Sequence, residues 1–226
     1  MTWWQIVIVA VVSYLCGNVS VARIISNSKH KDVTKLGSGN PGTTNILRNF
    51  GFKLGLLNLI LDILKGAIPT FVATLIFGKT IELWYLSLYI AGFSAILGHV
   101  YPVVYGFKGG KGIACMLGVF FVANPWWTLA VIAIAAVSWL CFKYGSVASF
   151  LCVTLLTVVE GLKIKGYIGG TALAYPYNLI VSSLLFAIFA LTWFAHRKNI
   201  KRLLVGRESK VDLLKSTKKK MKHNDI

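Results

Sequence analysis

A chain of 226 residues that is 56% hydrophobic and only 14% charged, with a mean hydropathy of +0.70, has a membrane composition, since a soluble domain carries about a quarter charged residues. Its 24 Lys and Arg against 7 Asp and Glu give a net charge of +17. These charges lie in loops between apolar runs and in a C-terminal tail, which argues against a nucleic-acid partner and for an anionic leaflet or a small anionic substrate.

A helical span takes about 17 to 25 mostly apolar residues. Residues 3–25 form the first such run. It has neither a basic leader nor a small-residue cleavage site, so it reads as an uncleaved span. Residues 52–77 and 83–105 follow. The long apolar stretch 113–162 is interrupted at Asn124-Pro125 and at Lys143-Tyr144-Gly145, where proline removes a donor and glycine permits a sharp turn. It divides into spans near 111–124, 126–142 and 146–161, and residues 175–195 form the last. The pattern predicts an all-α membrane protein of seven transmembrane helices. Because the 111–124 run is short, five spans with re-entrant pieces are the alternative. Cys16, Cys115, Cys141 and Cys152 sit in or beside these runs at no metal-ligand spacing and read as packing residues.

Lys and Arg set the orientation. Arg23, Lys29, Lys31, Lys35, Arg48, Lys53, Lys108, Lys111, Lys143 and the tail from Arg197 onward fall on one side, against Lys79, Lys163 and Lys165 on the other. The richer side is expected in the cytoplasm, with the N-terminus outside. Residues 1–208 then make one membrane domain. Residues 209–226 make a basic cytoplasmic tail without apolar periodicity, expected to be disordered and drawn to anionic lipid at about 1 kcal/mol per basic residue near the surface.

Three polar segments stand out on the richly basic side. In the first, Gly37, Ser38, Gly39, Asn40, Pro41 and Gly42 let the backbone curl and present its N–H groups. Asn40 and Pro41 resemble an N-cap and a first helical residue. Thr44, Asn45 and Arg48 follow, the last two on one helix face. Such a loop suits a phosphate, with Arg48 forking onto its oxygens, though a plain polar turn has the same composition. In the second, His99 precedes Lys108, Gly109, Gly110, Lys111 and Gly112. The glycines permit close backbone approach and Lys111 supplies a point charge, but the spacing is not that of the nucleotide P-loop. The alternative is a basic interfacial turn with a structural histidine. The third segment begins where the last span leaves the membrane. His196 and Asn199 share a helix face there, and Glu208 is the only acid before Asp212. A positive-inside anchor would look similar. Ser146 and Ser149 lie at the same face as hydrogen-bond donors. Asp62 and Lys65, three apart inside the second span, read as a costly charged pair facing the bundle.

GSGNPGTTNILRNFG, GHVYPVVYGFKGGKGIA and HRKNIKRLLVGRE occur in that order and spacing. With them, the chain resembles the bacterial membrane acyltransferases that acylate glycerol 3-phosphate from acyl phosphate. Asp62-Ile63-Leu64-Lys65-Gly66 and Ser146-Val147-Ala148-Ser149 add to the resemblance, which runs from about Tyr14 to Glu208. It implies a seven-span enzyme of the bacterial cell membrane with a cytoplasmic active site, making 1-acyl-glycerol 3-phosphate for phospholipid synthesis. It implies Ser38, Arg48, Lys111, His196 and Asn199 as catalytic positions. Around them it places Gly37, Gly39, Asn40, Gly42, Thr44, Asn45, His99, Lys108, Gly109, Gly110, Gly112, Lys143, Ser146, Ser149 and Glu208 as substrate-binding positions. Lys143 stands where an arginine is usual, and Lys198 where an acid is expected. The tail is longer than typical.

No metal or organic cofactor and no nucleic acid is implied. The partners are the two phosphorylated substrates and the bilayer; a monomer is compatible with the sequence, which does not set the oligomeric state. None of His30, His99, His196 and His223 is followed five residues later by Asp, the pattern of the other large glycerol-phosphate acyltransferase group. An acyl phosphate carries a good leaving group, so positioning and charge neutralisation are the main demands. His196, His99 or a substrate phosphate oxygen would take the proton. A transporter of an anionic small molecule is the alternative function.

Overall fold

Inside a bilayer each backbone polar group needs a partner within its own segment, so long apolar runs become helices. The computed structural model describes residues 1–170 and 172–210, and among these all regular structure is helical. In chain order the helices are α1 Trp3–Asn18, α2 Val21–Asn27, α3 Thr43–Phe50, α4 Phe52–Phe77, α5 Ile81–Val100, α6 Ile113–Ala123, α7 Pro125–Phe142, α8 Gly145–Ile164, α9 Tyr177–Ala195 and α10 Arg197–Leu204. Six segments are long and apolar enough to cross a membrane: α1 with α2, α4, α5, α7, α8 and α9. The seventh apolar helix, α6, has 11 residues and rises only about 16 Å, against about 30 Å of hydrocarbon. Its last residue, Ala123, lines a surface depression with Gly78, Lys79, Thr80, Ile81, Trp84 and Tyr85, around the turn between α4 and α5. All but Ser209 and Lys210 of the basic tail lies outside the described residues.

Two boundaries differ from the sequence expectation. The first span is broken at Val19 and Ser20, both extended, and the Val19 carbonyl released there accepts from Lys65 Nζ at 2.8 Å. Asn40 and Pro41 do not open a helix. The Gly42 N–H bonds back to the Asn40 carbonyl at 2.9 Å, which closes a turn, and α3 starts at Thr43 with Gly42 as its cap. The hinge at Asn124-Pro125 forms as its residues dictate. Pro125 takes the first helical turn of α7, where no N–H is needed, and Asn124 Oδ1 accepts from the Trp127 N–H at 3.2 Å.

The central element is α5, with Leu88, Tyr89, Ala91, Ala95 and Ile96 at zero exposure. Outward faces carry Leu75, Leu140 and Phe186, each about two-thirds exposed, as lipid contact requires. Lipid removes the hydrophobic drive between helices, so small residues at the crossings provide close packing. On α1 and α5, a Cβ at Gly17 or Gly98 would stand 2.1 Å from the Ala95 or Tyr14 carbonyl oxygen. On α6 and α4, a Cβ at Gly118 would stand 2.0 Å from the Ile63 carbonyl oxygen. At the end away from His99, Glu160 accepts from Tyr89 Oη at 3.1 Å and from Lys163 Nζ at 3.2 Å. Lys163 is therefore a buried partner of Glu160 rather than a surface marker of topology.

Candidate functional site

A cavity of about 640 Å³ opens at the end of the bundle where α1, α5 and α9 finish. Three helices begin on its wall: α3 through Gly42, Thr43 and Thr44, α6 through Lys111 to Ala114, and α8 through Gly145 and Ser146. None of the three has a side-chain cap, so their first N–H groups remain available to a ligand. Each N-terminus carries about half a positive charge, so three helices that begin on one cavity wall give it a surface suited to an anion before any side chain is counted.

The side chains add to it. Lys111 Nζ donates to Asn199 Oδ1. Asn199 Nδ2 in turn donates to Glu208 Oε1 at 2.6 Å, and Ser146 Oγ reaches the same oxygen at 3.0 Å. Arg202 Nε holds the other carboxylate oxygen at 2.7 Å. Burial by itself would raise the Glu208 carboxyl, but the donors from Arg202, Asn199 and Ser146 outweigh it and hold the group below its ordinary value. Burial, with help from the Arg202 charge, lowers Lys111 to about 8, so it is mostly charged at pH 7. Arg48 Nη2 donates to the Ser209 carbonyl at 3.0 Å and faces the same cavity. His196, 3% exposed, has Nδ1 2.8 Å from the Thr192 carbonyl. A carbonyl only accepts, so Nδ1 carries the proton and Nε2 keeps its lone pair. Burial, followed by the Lys111 charge, lowers this histidine to about 4, which leaves it neutral at pH 7.

Most of the residues expected from sequence are brought together: Gly37, Ser38, Asn40, Gly42, Thr44, Asn45, Arg48, His99, Lys111, Gly112, Ser146, Ser149, His196, Asn199 and Glu208 all line the cavity. Gly39, Lys108, Gly109, Gly110 and Lys143 do not. The Gly109 and Gly110 N–H groups bond back to the Val100 and His99 carbonyls, at 3.2 and 3.0 Å, so they offer no cradle to an anion. The Gly39 N–H is likewise bonded, to the Leu36 carbonyl at 2.9 Å. Lys108 is exposed, and its carbonyl accepts from Arg23 Nη2 at 2.8 Å. Lys143 ends α7 in the left-handed region with φ 61°. Asn45 lines the wall but acts as a clamp. Its Nδ2 donates to the Val33 and Leu36 carbonyls at 3.1 and 2.9 Å, and its Oδ1 accepts from the Ser38 N–H at 3.2 Å. It thereby shapes the loop that presents Ser38.

Sequence reasoning passed over Thr43, Trp139, Arg202 and, above all, Asp62 as wall residues. The intramembrane charge of Asp62 was the available signal. Its expected ion pair with Lys65 is present at 2.8 Å, yet Asp62 is also among the residues that line the cavity. Among the described residues, no three His, Cys, Asp or Glu side chains cluster as a metal ion would require.

The sequence matches the family described as "Glycerol-3-phosphate acyltransferase" over residues 7–206. A relative from Aquifex aeolicus, named a glycerol-3-phosphate acyltransferase, is 38% identical over 196 residues, covering 87% of this chain and 94% of its own. One of the same name from Halalkalibacterium halodurans is 38% identical over 208 residues, covering 91% and 95%. The crystal structure of PlsY (YgiH), an integral membrane glycerol 3-phosphate acyltransferase in its glycerol 3-phosphate form, superposes with a TM-score of 0.80 at 36% identity, covering 93% of this chain and 97% of that one. The same protein in its lysophosphatidic acid form gives 0.78.

Proposed function

Because the chain belongs to the glycerol-3-phosphate acyltransferase family, we propose that it transfers an acyl group from acyl phosphate to the 1-hydroxyl of glycerol 3-phosphate. The products are 1-acyl-glycerol 3-phosphate and inorganic phosphate. The observation that carries the reading is the cavity wall built from three uncapped helix N-termini with Lys111, Arg48 and Arg202, a donor set suited to two phosphates. The acyl-phosphate donor rests on the resemblance carried by the three motifs. The seven-span count gains support from α6, an apolar helix that starts at the cavity and whose last residue lines a depression with residues of the α4–α5 turn. The excess of Lys and Arg at the cavity end supports a cytoplasmic site in a bacterial plasma membrane, with the N-terminus outside. A monomer holds the whole constellation. Transport finds less support, since the cavity lies at one end of the bundle rather than at its middle.

The 1-hydroxyl oxygen attacks the acyl carbonyl, the bond from that carbon to the phosphate oxygen breaks, and phosphate leaves. Backbone N–H groups and Lys111 meet the developing charge. Burial of His196 bears on which group accepts the proton. His196 sits at about 4, whereas a phosphate monoester takes its second proton near ~6. A substrate phosphate oxygen is therefore assigned as the proton acceptor. His196 then serves to shape the wall, its ring packed on Phe150 at 5.4 Å. The direct test supplies purified protein with glycerol 3-phosphate and either palmitoyl phosphate or palmitoyl-CoA, and follows lysophosphatidate and phosphate. Product from palmitoyl phosphate alone is expected. Product from palmitoyl-CoA alone overturns the donor, and none from either, with folded protein, overturns the activity.

A further inference from the structure

Asp62 and His99 on the cavity wall, with Asn58 bonded to Asp62 behind it, carry a second chemistry. Asn58, Asp62 and His99 are 0%, 1% and 8% exposed, and Asn58 Oδ1, Asp62 Oδ1 and His99 Nδ1 have no hydrogen-bond partner among the described residues. Leaving three buried polar atoms unmatched in one place is costly, and native interiors rarely tolerate it. Lys65 Nζ neutralises Asp62 Oδ1 from 2.8 Å, but not along a hydrogen-bond direction, and its bond to the Val19 carbonyl is made elsewhere. Asn58 Nδ2 bonds both Asp62 Oδ2, at 2.8 Å, and Thr43 Oγ1, at 2.9 Å. The inner cluster is thus tied rigidly to the first turn of α3 on the wall above.

The unmatched atoms are two oxygens and one ring nitrogen. Asn58 Oδ1 and Asp62 Oδ1 can only accept, and His99 Nδ1 stands 3.9 Å from Asp62 Oδ1, too far for a bond but close enough for one oxygen to lie between. A hydroxyl donates once and accepts twice, so it satisfies the carboxylate together with the imidazole tautomer that carries its proton on Nδ1. An anion fits badly against a carboxylate. The cavity is polarised, with donors for phosphate at its mouth and acceptors for hydroxyl at its floor.

We propose that Asp62 and His99 form a hydroxyl subsite that binds the 2-hydroxyl of glycerol 3-phosphate and so makes the site selective for a polyol phosphate. This rests on the acyl-transfer reading above. The assignment to the 2-hydroxyl follows from the chemistry of the two substrates. In an acyl phosphate the reacting carbonyl is one oxygen away from the phosphate, so it stays near the cationic mouth, and the attacking 1-hydroxyl must stay with it. The phosphate at the other end of glycerol 3-phosphate is also held at the mouth. With both ends held there, the middle carbon turns its hydroxyl inward to the floor.

The test compares glycerol 3-phosphate with 3-hydroxypropyl phosphate, which keeps the phosphate and the attacked hydroxyl but lacks the 2-hydroxyl. The wild-type chain is expected to prefer glycerol 3-phosphate in kcat/KM by tenfold or more, on the order expected where a polar site is left unmatched by an analogue. In Asp62→Asn the carboxamide oxygen stays toward Asn58 Nδ2, and its NH2 faces the cavity in place of an acceptor. The preference should then fall to within about threefold of unity, mainly through loss of kcat/KM for glycerol 3-phosphate. His99→Phe keeps the ring against Gly110 and removes the nitrogens, and it carries the test if Asp62→Asn does not fold. A variant with too little turnover is read by calorimetric binding of the same two compounds. A wild-type preference near unity, or a preference unchanged in the folded variants, overturns the subsite and leaves the acyltransferase reading intact. No transfer to either compound by wild-type protein overturns that reading instead.

Discussion

Lys111 links protonation to substrate binding in a way that can be worked through in numbers. Burial and the neighbouring Arg202 lower its pKa to about 8, so its charge is present at pH 7 and is lost as the pH rises through that value. If the ammonium contacts the phosphate of glycerol 3-phosphate, the ligand holds the proton on, and only the free enzyme loses it. The apparent KM then grows as one plus the ratio of neutral to charged lysine. Between pH 7 and pH 9 that factor rises about tenfold, or ~1.4 kcal/mol. The glycerol 3-phosphate dianion does not change over this range, which removes the ligand as a cause. The assay is initial rate against glycerol 3-phosphate at saturating acyl phosphate from pH 6.5 to 9.5, in wild type, Lys111→Arg and Lys111→Met. Wild type should show the rise, Lys111→Arg a flat profile because its guanidinium stays charged, and Lys111→Met a flat profile at a KM raised ~10- to 100-fold by the lost charge-assisted bond. A flat wild-type profile, or an equal rise in Lys111→Arg, refutes the assignment of Lys111 to the phosphate.

Other outcomes follow from the same geometry. His196→Gln should lower kcat by about tenfold or less, whereas a general base would cost about 100-fold or more, a difference that steady-state kinetics resolves. Glu208→Gln leaves Arg202 with a weaker partner, and because the pair is part-exposed the loss should be about 1 kcal/mol, seen as a drop of a few degrees in Tm in detergent. Because the folded Glu208 pKa is lowered, this stabilisation is full at neutral pH and is lost as the pH falls through the folded value, so wild type and variant should converge in acid. Gly118→Ala drives a Cβ to 2.0 Å from the Ile63 carbonyl oxygen and should cost at least 1 to 3 kcal/mol or prevent folding, checked by size-exclusion profile and Tm.

The covalent chain by itself determined the elements whose causes are local. Apolar length decided where six long spans lie. Asn124 and Pro125 decided the sharp entry to α7, because cap and proline act on the residues beside them. The three polar motifs marked the mouth of the cavity, since glycines, helix starts and Lys or Arg keep their chemistry wherever the fold carries them. Tertiary structure decided which of those groups are available. Gly109 and Gly110 looked like an anion cradle until the end of α5 supplied the carbonyls that take their N–H groups. Asn45 looked like a ligand-facing residue, but the returning loop 33–38 occupies its amide. Asp62 and His99 lie 37 positions apart, and only the packing of α4 beside α5 places them on one cavity floor. A hydrogen bond is decided by what stands within about 3 Å of a group, and for these residues that neighbour comes from a distant part of the chain.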